Sequence, residues 1–238
     1  MQIFSFSDLK TKLGNDCDVT DEVFINDTEL VGYVNDAIDD AETAIHQLGI
    51  EDKYFLYSAT FSWVNGTNEY VLPSDIYGTK IRQIFYQNGQ TKYEVTRLKN
   101  LTEIPFIESG DYYRYILVAD PTAASTPGQR ARFYPTPTET STNATIWYIR
   151  NMRRMTTSTG ATNTCEVPEC INFITQHVKK SIAKKSRNPE LIAQEDKDLI
   201  VQYNLMLEAL ANVVPDENNR LALDIGHYAD QGLMEIYR

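Results

Sequence analysis

The apolar residues of this chain change period twice, and that double switch restricts the folds open to it. Leu30, Val34, Ile38, Ala41, Ile45 and Leu48 recur at spacings of four and three, the pattern of a helix with one buried stripe. From Tyr54 to about Arg150 the pattern becomes short alternating runs between turn residues, which reads as strands. Helical spacing returns in Ile171, Ile174, Val178 and Ile182, and again in Leu191, Leu199, Tyr203, Met206 and Leu210. Each stripe must bury itself against another element, so the helical segments before and after the strands are expected to pack together. The expected class is α+β: a helical bundle built from an N-terminal helix and a C-terminal helical hairpin, an inserted and mainly antiparallel β domain, and an extended C-terminal tail. The corresponding parts are residues 1–53, 54–150, 151–214 and 215–238.

Local signals fix where elements start and stop. Ser7 is placed to cap a short helix that Gly14-Asn15 would end. Asn26 or Asp27 starts the first long helix, with Glu29 three residues on for a capping box and Gly49 to close it. The helix also carries Asp36, Asp39, Asp40 and Glu42, read as a solvated acidic face rather than a cation site because no loop with calcium-binding spacing accompanies them. Asn88-Gly89, between Ile84-Phe85-Tyr86 and Tyr93-Glu94-Val95, predicts a tight hairpin. Further strands are predicted over Tyr112 to Val118, Arg130 to Tyr134 and Ala144 to Arg150, the last with Ile146 and Tyr148 on one face and Trp147 and Ile149 on the other. Pro168 suits a first helical turn, and Asn188-Pro189 breaks one helix and restarts another, so the two should form a hairpin.

Composition bounds the partners. The 22 Lys and Arg against 33 Asp and Glu give a net charge of −11, which opposes general affinity for nucleic-acid phosphates or anionic membranes. No apolar run approaches a membrane span, and Met1-Gln2-Ile3-Phe4-Ser5 lacks the features of a signal peptide, so a chain made without export is expected. Three cysteines, Cys17, Cys165 and Cys170, do not make a disulfide framework. Cys165, Cys170 and His177 lie close in sequence, but a structural zinc needs four ligands and no second pair follows. His46, His177 and His227 are scattered, and no nucleophile elbow, phosphate loop or dinucleotide fingerprint is present. No catalytic, cofactor or metal residue is therefore assigned. Fifteen Tyr against nine Phe favours half-buried positions, on strands or at subunit interfaces.

Two segments invite a partner. Lys179, Lys180, Lys184, Lys185 and Arg187 crowd the end of one predicted helix; they complement its dipole, or form a face toward DNA or an acidic partner. Beyond Pro215 the tail is rich in Leu221, Leu223, Ile225, Tyr228, Leu233, Met234, Ile236 and Tyr237, more apolar than a disordered terminus, so it packs on its own domain or docks on a neighbour.

Between the first long helix and the Tyr-rich strands lies Glu69-Tyr70-Val71-Leu72-Pro73-Ser74-Asp75. Tyr70 and Leu72 share one face of an extended chain, Pro73 should stop the pairing, and Ser74 and Asp75 favour a turn by bonding nearby backbone N–H groups. In order, the helix at Phe6 to Leu13, the segment Glu29-Leu30-Val31-Gly32-Tyr33-Val34-Asn35-Asp36-Ala37, then Tyr70-Val71-Leu72-Pro73-Ser74-Asp75, Arg132-Phe133-Tyr134-Pro135-Thr136-Pro137, Ile146-Trp147-Tyr148 and a closing helical pair resemble the head-to-tail adaptor, or connector, proteins of tailed bacteriophages. The chain is similar to tail tubular gatekeeper proteins of short-tailed phages.

That resemblance implies a structural virion protein of the neck or tail, assembled in the host cytoplasm, without enzymatic activity, cofactor or membrane. It implies a ring of about twelve copies, a dodecamer closed by head-to-tail contacts, which binds the portal protein and the tail nozzle or other tail proteins and lines the exit channel for genomic DNA. It also implies that the apolar tail residues bind the portal or the adjacent subunit. Another neck or tail subunit (nozzle, stopper or fibre anchor) and a tail-associated cell-wall hydrolase are the alternative readings.

Overall fold

The computed structural model describes residues 4–17, 24–88, 91–107, 112–119, 129–138, 142–158 and 163–212. The chain divides into two compact units, Met1–Ile50 with Met152–Arg238, and Glu51–Asn151.

The first unit is helical. Helix α1 spans Phe6–Cys17 and buries Phe6, Leu9 and Leu13. Its cap is Ser5 rather than the expected Ser7: Asp8 N donates to Ser5 Oγ at 3.2 Å, and Ser5 N donates to the Asp8 carboxylate at 3.0 Å. This reciprocal capping box starts the helix earlier. Gly14-Asn15 does not end it, because a glycine inside a helix costs only about 1 kcal/mol and the helix runs on to Cys17.

Helix α2, Asp27–Leu48, has the expected ends: Asn26 Oδ1 accepts from Glu29 N at 2.9 Å, and Gly49 closes it at φ 69. Glu29 does not return to the Asn26 N–H; its carboxylate is taken by Tyr33 Oη and Lys185 Nζ. Burial and the bond to Glu29 push the Tyr33 hydroxyl up to about 12. Val34, Ala37, Ile38, Ala41 and Ile45 are completely buried, whereas Leu48 is exposed at the helix end. Glu42 departs from its predicted solvated face. It is buried and accepts from Met152 N at 2.6 Å, pinning the chain where it re-enters this unit. Arg154 pairs with Asp39 and donates to Asn35 O, and Met155 N donates to Asn35 Oδ1, so α2 holds residues 152–155 along its length.

Helices α4, Ile171–Ser186, and α5, Pro189–Asn212, pack as a hairpin, with α4 also against α1 and α2. The break is built as the sequence implies: Arg187 takes a left-handed conformation, and Asn188 Oδ1 accepts from Glu190 N and Leu191 N ahead of the new helix. Phe173, Ile174, Val178 and Ile182 are buried; Ile171, at the helix start, is only half-buried.

The second unit begins with a short helix α3, Glu51–Phe55, in place of a strand start at Tyr54. Its seven strands are β1 Leu56–Trp63, β2 Glu69–Val71, β3 Ile76–Asn88, β4 Thr91–Arg97, β5 Arg114–Ala119, β6 Gln129–Tyr134 and β7 Thr142–Arg150. Their order in the sheet is β1-β7-β3-β4-β5-β6-β2, antiparallel except for β4 with β5. β3 and β4 form the predicted hairpin, but Asn88 is the last residue of β3, paired with Thr91, rather than a turn residue with positive φ; Gly89-Gln90 lie outside the described residues. β7 lies between β1 and β3, with α3 packed on it. Ile149 is therefore buried like Ile146 and Tyr148, and of the four only Trp147 is exposed.

The sheet curls until its two edge strands face each other. Phe61 and Trp63 of β1 lie 4.9 and 5.8 Å from Tyr70 of β2, and the Tyr70 hydroxyl accepts from Val64 N at 2.8 Å. Trp63, fully buried, is surrounded by Tyr70, Tyr86, Tyr113 and Phe133, so much of the tyrosine excess serves this core. Leu72 is buried and Val71 exposed, as their alternation requires. Asp75 does not fold its carboxylate onto backbone N–H groups. It accepts from the Tyr148 hydroxyl at 2.8 Å, and burial together with that bond raises the Tyr148 pKa.

Candidate interaction surfaces

The basic end of α4 is largely used within its own unit. Lys179 pairs with Asp16 at 2.7 Å, Lys180 with Asp196 at 2.5 Å, and Lys185 with Glu29, while its ammonium lies 5.3 Å from the Phe24 ring centroid. The Lys179 ammonium draws the Asp16 carboxyl below its ordinary range. Lys184 and Arg187 remain exposed. A face that must attract phosphates would keep its cations unpaired, and here three of the five predicted cations are spent on α1, α2 and α5.

Between α2, α4 and α5 lies an open groove of about 370 Å³ lined by Asp40, Ala44, Phe173, His177, Leu199, Ile200 and Tyr203 among others. His177 Nε2 lies 3.3 Å from the Asp40 carboxylate. Burial lowers the imidazole pKa, and Asp40 opposes that shift only in part. The groove continues onto an outer row of α5, where Ile200, Val201 and Leu205 are 63, 54 and 51% exposed. Leu191, predicted to join the buried stripe, is also exposed; only Met206 and Leu210 of α5 are buried. These outer apolar residues were missed because the stripe through Leu199, Tyr203, Met206 and Leu210 already accounts for a helical period. The available signal was the excess: Ile200, Val201 and Leu205 make α5 apolar on more than one side.

In the β unit the outer edge of β1 has no strand partner among the described residues. Beside it, between Ala59-Thr60-Phe61 and Tyr70-Val71-Leu72-Pro73, opens a cleft of about 210 Å³ floored by Ile84, Ala131, Phe133 and Ile146.

Cys165 and Cys170 are buried thiols; burial pushes Cys165 up to about 11 and raises Cys170 as well, so neither is poised as a nucleophile. Among the described residues no group of three or more His, Cys, Asp or Glu side chains is arranged to hold a metal ion. None of the described helices is long and apolar enough to cross a membrane. Leu221, Leu223, Ile225, Tyr228, Leu233, Met234, Ile236 and Tyr237, with His227, lie outside the described residues.

No curated protein sequence matches the chain. A family model described as SU10 adaptor protein matches residues 4–224, a span that takes in every described helix and strand. With nearly its whole length aligned, the chain belongs to the SU10 adaptor protein family and is a phage adaptor, a structural protein of the virion neck.

Proposed function

We propose that this adaptor acts as the head-to-tail joint of a short-tailed phage, in the manner of a tail tubular gatekeeper. About twelve copies close head-to-tail into a ring beneath the portal protein. The ring carries the tail nozzle or another tail protein and surrounds the path by which genomic DNA leaves. It is assembled in the host cytoplasm. The match of residues 4–224 to an adaptor family carries the reading.

Charge supports the channel role. At −11 the subunit repels phosphates, and with three lysines of the basic helix end paired internally, a wall of such subunits would pass DNA without trapping it. Lys184 and Arg187, which stay exposed, are the part of that cluster left to face an acidic partner. The uncovered apolar row on α5 supports a role in contacts with neighbours, because apolar side chains concentrated on one face mark interaction sites. In this reading the segment after Pro215 docks the subunit on the portal or on the next copy.

Electron microscopy of the purified chain mixed with a candidate portal tests the proposal. Rings stacked on the portal are expected, and absence of any complex at micromolar concentration overturns it. The chain alone is expected to be monomeric or weakly associated by sizing with light scattering, because its interfaces order only in the ring. Deletion after Pro215 is expected to leave a folded monomer that no longer joins the portal complex.

A further inference from the structure

The two edges of the curled sheet are protected very differently. β2 is only three residues long, runs directly into Leu72-Pro73, and carries Glu69 paired with Arg132, all of which discourage pairing with another chain. β1 is eight residues long and reads Leu-Tyr-Ser-Ala-Thr-Phe-Ser-Trp, without a charge, proline or glycine. A long uncharged edge is a template for strand addition unless something covers it.

Its core-facing positions tell the same story. Trp63 is fully buried, but Phe61 and Ala59 are only half-buried and Tyr57 is 51% exposed, so the core lies open progressively toward the start of β1. The cleft of about 210 Å³ lies beside this stretch. Engineered apolar cavities of about 150 Å³ admit benzene, so this one has room for a branched aliphatic side chain.

We infer that residues 221–225 of a second copy of this chain lie along the free edge of β1, with Leu221, Leu223 and Ile225 covering Tyr57, Ala59 and Phe61 and one of the three seated in the cleft. Both sets are three alternate residues, so each spans about 13 Å of extended chain. Main-chain bonds to the β1 edge supply affinity and the alternate apolar side chains supply register, as in other strand additions. Residues 213–220 follow the end of α5 at Asn212 and give the donor segment a reach of at most about 28 Å. Donor and acceptor are different patches of one chain, so the contact is head-to-tail and propagates from copy to copy, the geometry a closed ring requires. The inference rests on the ring-forming reading above and names the contact that would close the ring.

Disulfide trapping of the full-length protein, in a Cys17→Ser background, tests it. Asp224 falls between Leu223 and Ile225 and so shares the outward face with Ser58 and Thr60. Chains carrying Asp224→Cys are mixed with chains carrying Ser58→Cys or Thr60→Cys, with and without a candidate portal, and oxidised. An antiparallel added strand brings Asp224→Cys to Ser58→Cys and a parallel one brings it to Thr60→Cys, so a covalent dimer is expected in one mixture and at least tenfold less with Glu190→Cys on exposed α5. Adding Leu223→Asp should lower the yield at least tenfold. Dimer no more abundant than with Glu190→Cys in both conditions, or cross-linking only within single chains of a double variant, overturns the inference. Portal binding on the same preparations separates the readings. Complexes that form normally with no trapped dimer overturn this contact alone; a trapped dimer with no portal complex supports the contact and overturns the proposed joint beneath the portal.

Discussion

Helices α2 and α5 are nearly equal in length, at 22 and 24 residues, and both repeat apolar residues at helical spacing, yet α2 buries eight side chains and α5 only Met206 and Leu210. Periodicity states which residues share a face; it does not state whether anything covers that face. α2 is the spine of its unit, touching α4 and α5 and gripping residues 152–155 through Asn35, Asp39 and Glu42. α5 packs on one side only and leaves Ile200, Val201 and Leu205 uncovered. The spine holds the unit together, and the outer helix has apolar surface to offer a neighbour.

The sharpest way to break this contrast is Ile38→Asp. Ile38 is fully buried on α2, and an unpaired carboxylate there should cost more than about 3 kcal/mol, enough to unfold much of the protein. Unchanged thermal stability would show that α2 is not the spine. Next in size is Glu42→Ala, which strips Met152 N of its acceptor and leaves a buried donor unsatisfied. A loss of about 1–3 kcal/mol in urea unfolding is expected.

His177, in the groove that α5 borders, should give a smaller and pH-dependent effect. Burial holds its folded pKa below the ordinary 6.5. The unfolded chain therefore takes up this proton first, so the contribution of His177 is fully present above about pH 6.5 and is lost as pH falls through the depressed folded value. Melting temperature should drop more steeply between pH 7 and 5 in the parent than in His177→Gln; equal slopes would refute the assignment. Smallest of all, Ile200→Ser with Val201→Ser should change monomer stability by no more than about 0.5 kcal/mol each. The same pair should weaken assembly on a portal at least tenfold. Normal assembly would mean that the apolar row of α5 is not an interface.

Several elements could be read because their signals are local. Asn26 and Gly49 bound α2 by bonding groups within a few residues, and the β3–β4 hairpin follows from the two strand-forming runs that flank Asn88-Gly89. Asn188-Pro189 likewise stops one helix and starts another through its own side chain and ring. Readings failed where a partner distant in sequence intervened. Glu42 looked like one more carboxylate on an acidic face until the return of the chain at Met152 gave it a buried donor. Asp75 was expected to bond its own turn, but Tyr148 arrives from β7. Ile149 shares a strand face with exposed Trp147 by alternation alone, and it is buried because α3, itself unforeseen, packs on β7. Of the candidate surfaces, the basic end of α4 was legible as a run of charges, while its pairing with Asp16, Glu29 and Asp196 was not.

The sequence by itself determined the fold class, the succession of long helix, strands and helical hairpin, the ends of the long helices and the net charge, because caps, turn residues, hydrophobic period and composition act within one or two turns of chain or depend on no geometry at all. Only the tertiary structure decided which faces stayed uncovered. The curling of the sheet leaves the core side of β1 open beside β2, and the one-sided packing of α5 leaves its outer row exposed. Burial belongs to the arrangement of elements, and a residue's own neighbours in sequence do not set what comes to lie across from it.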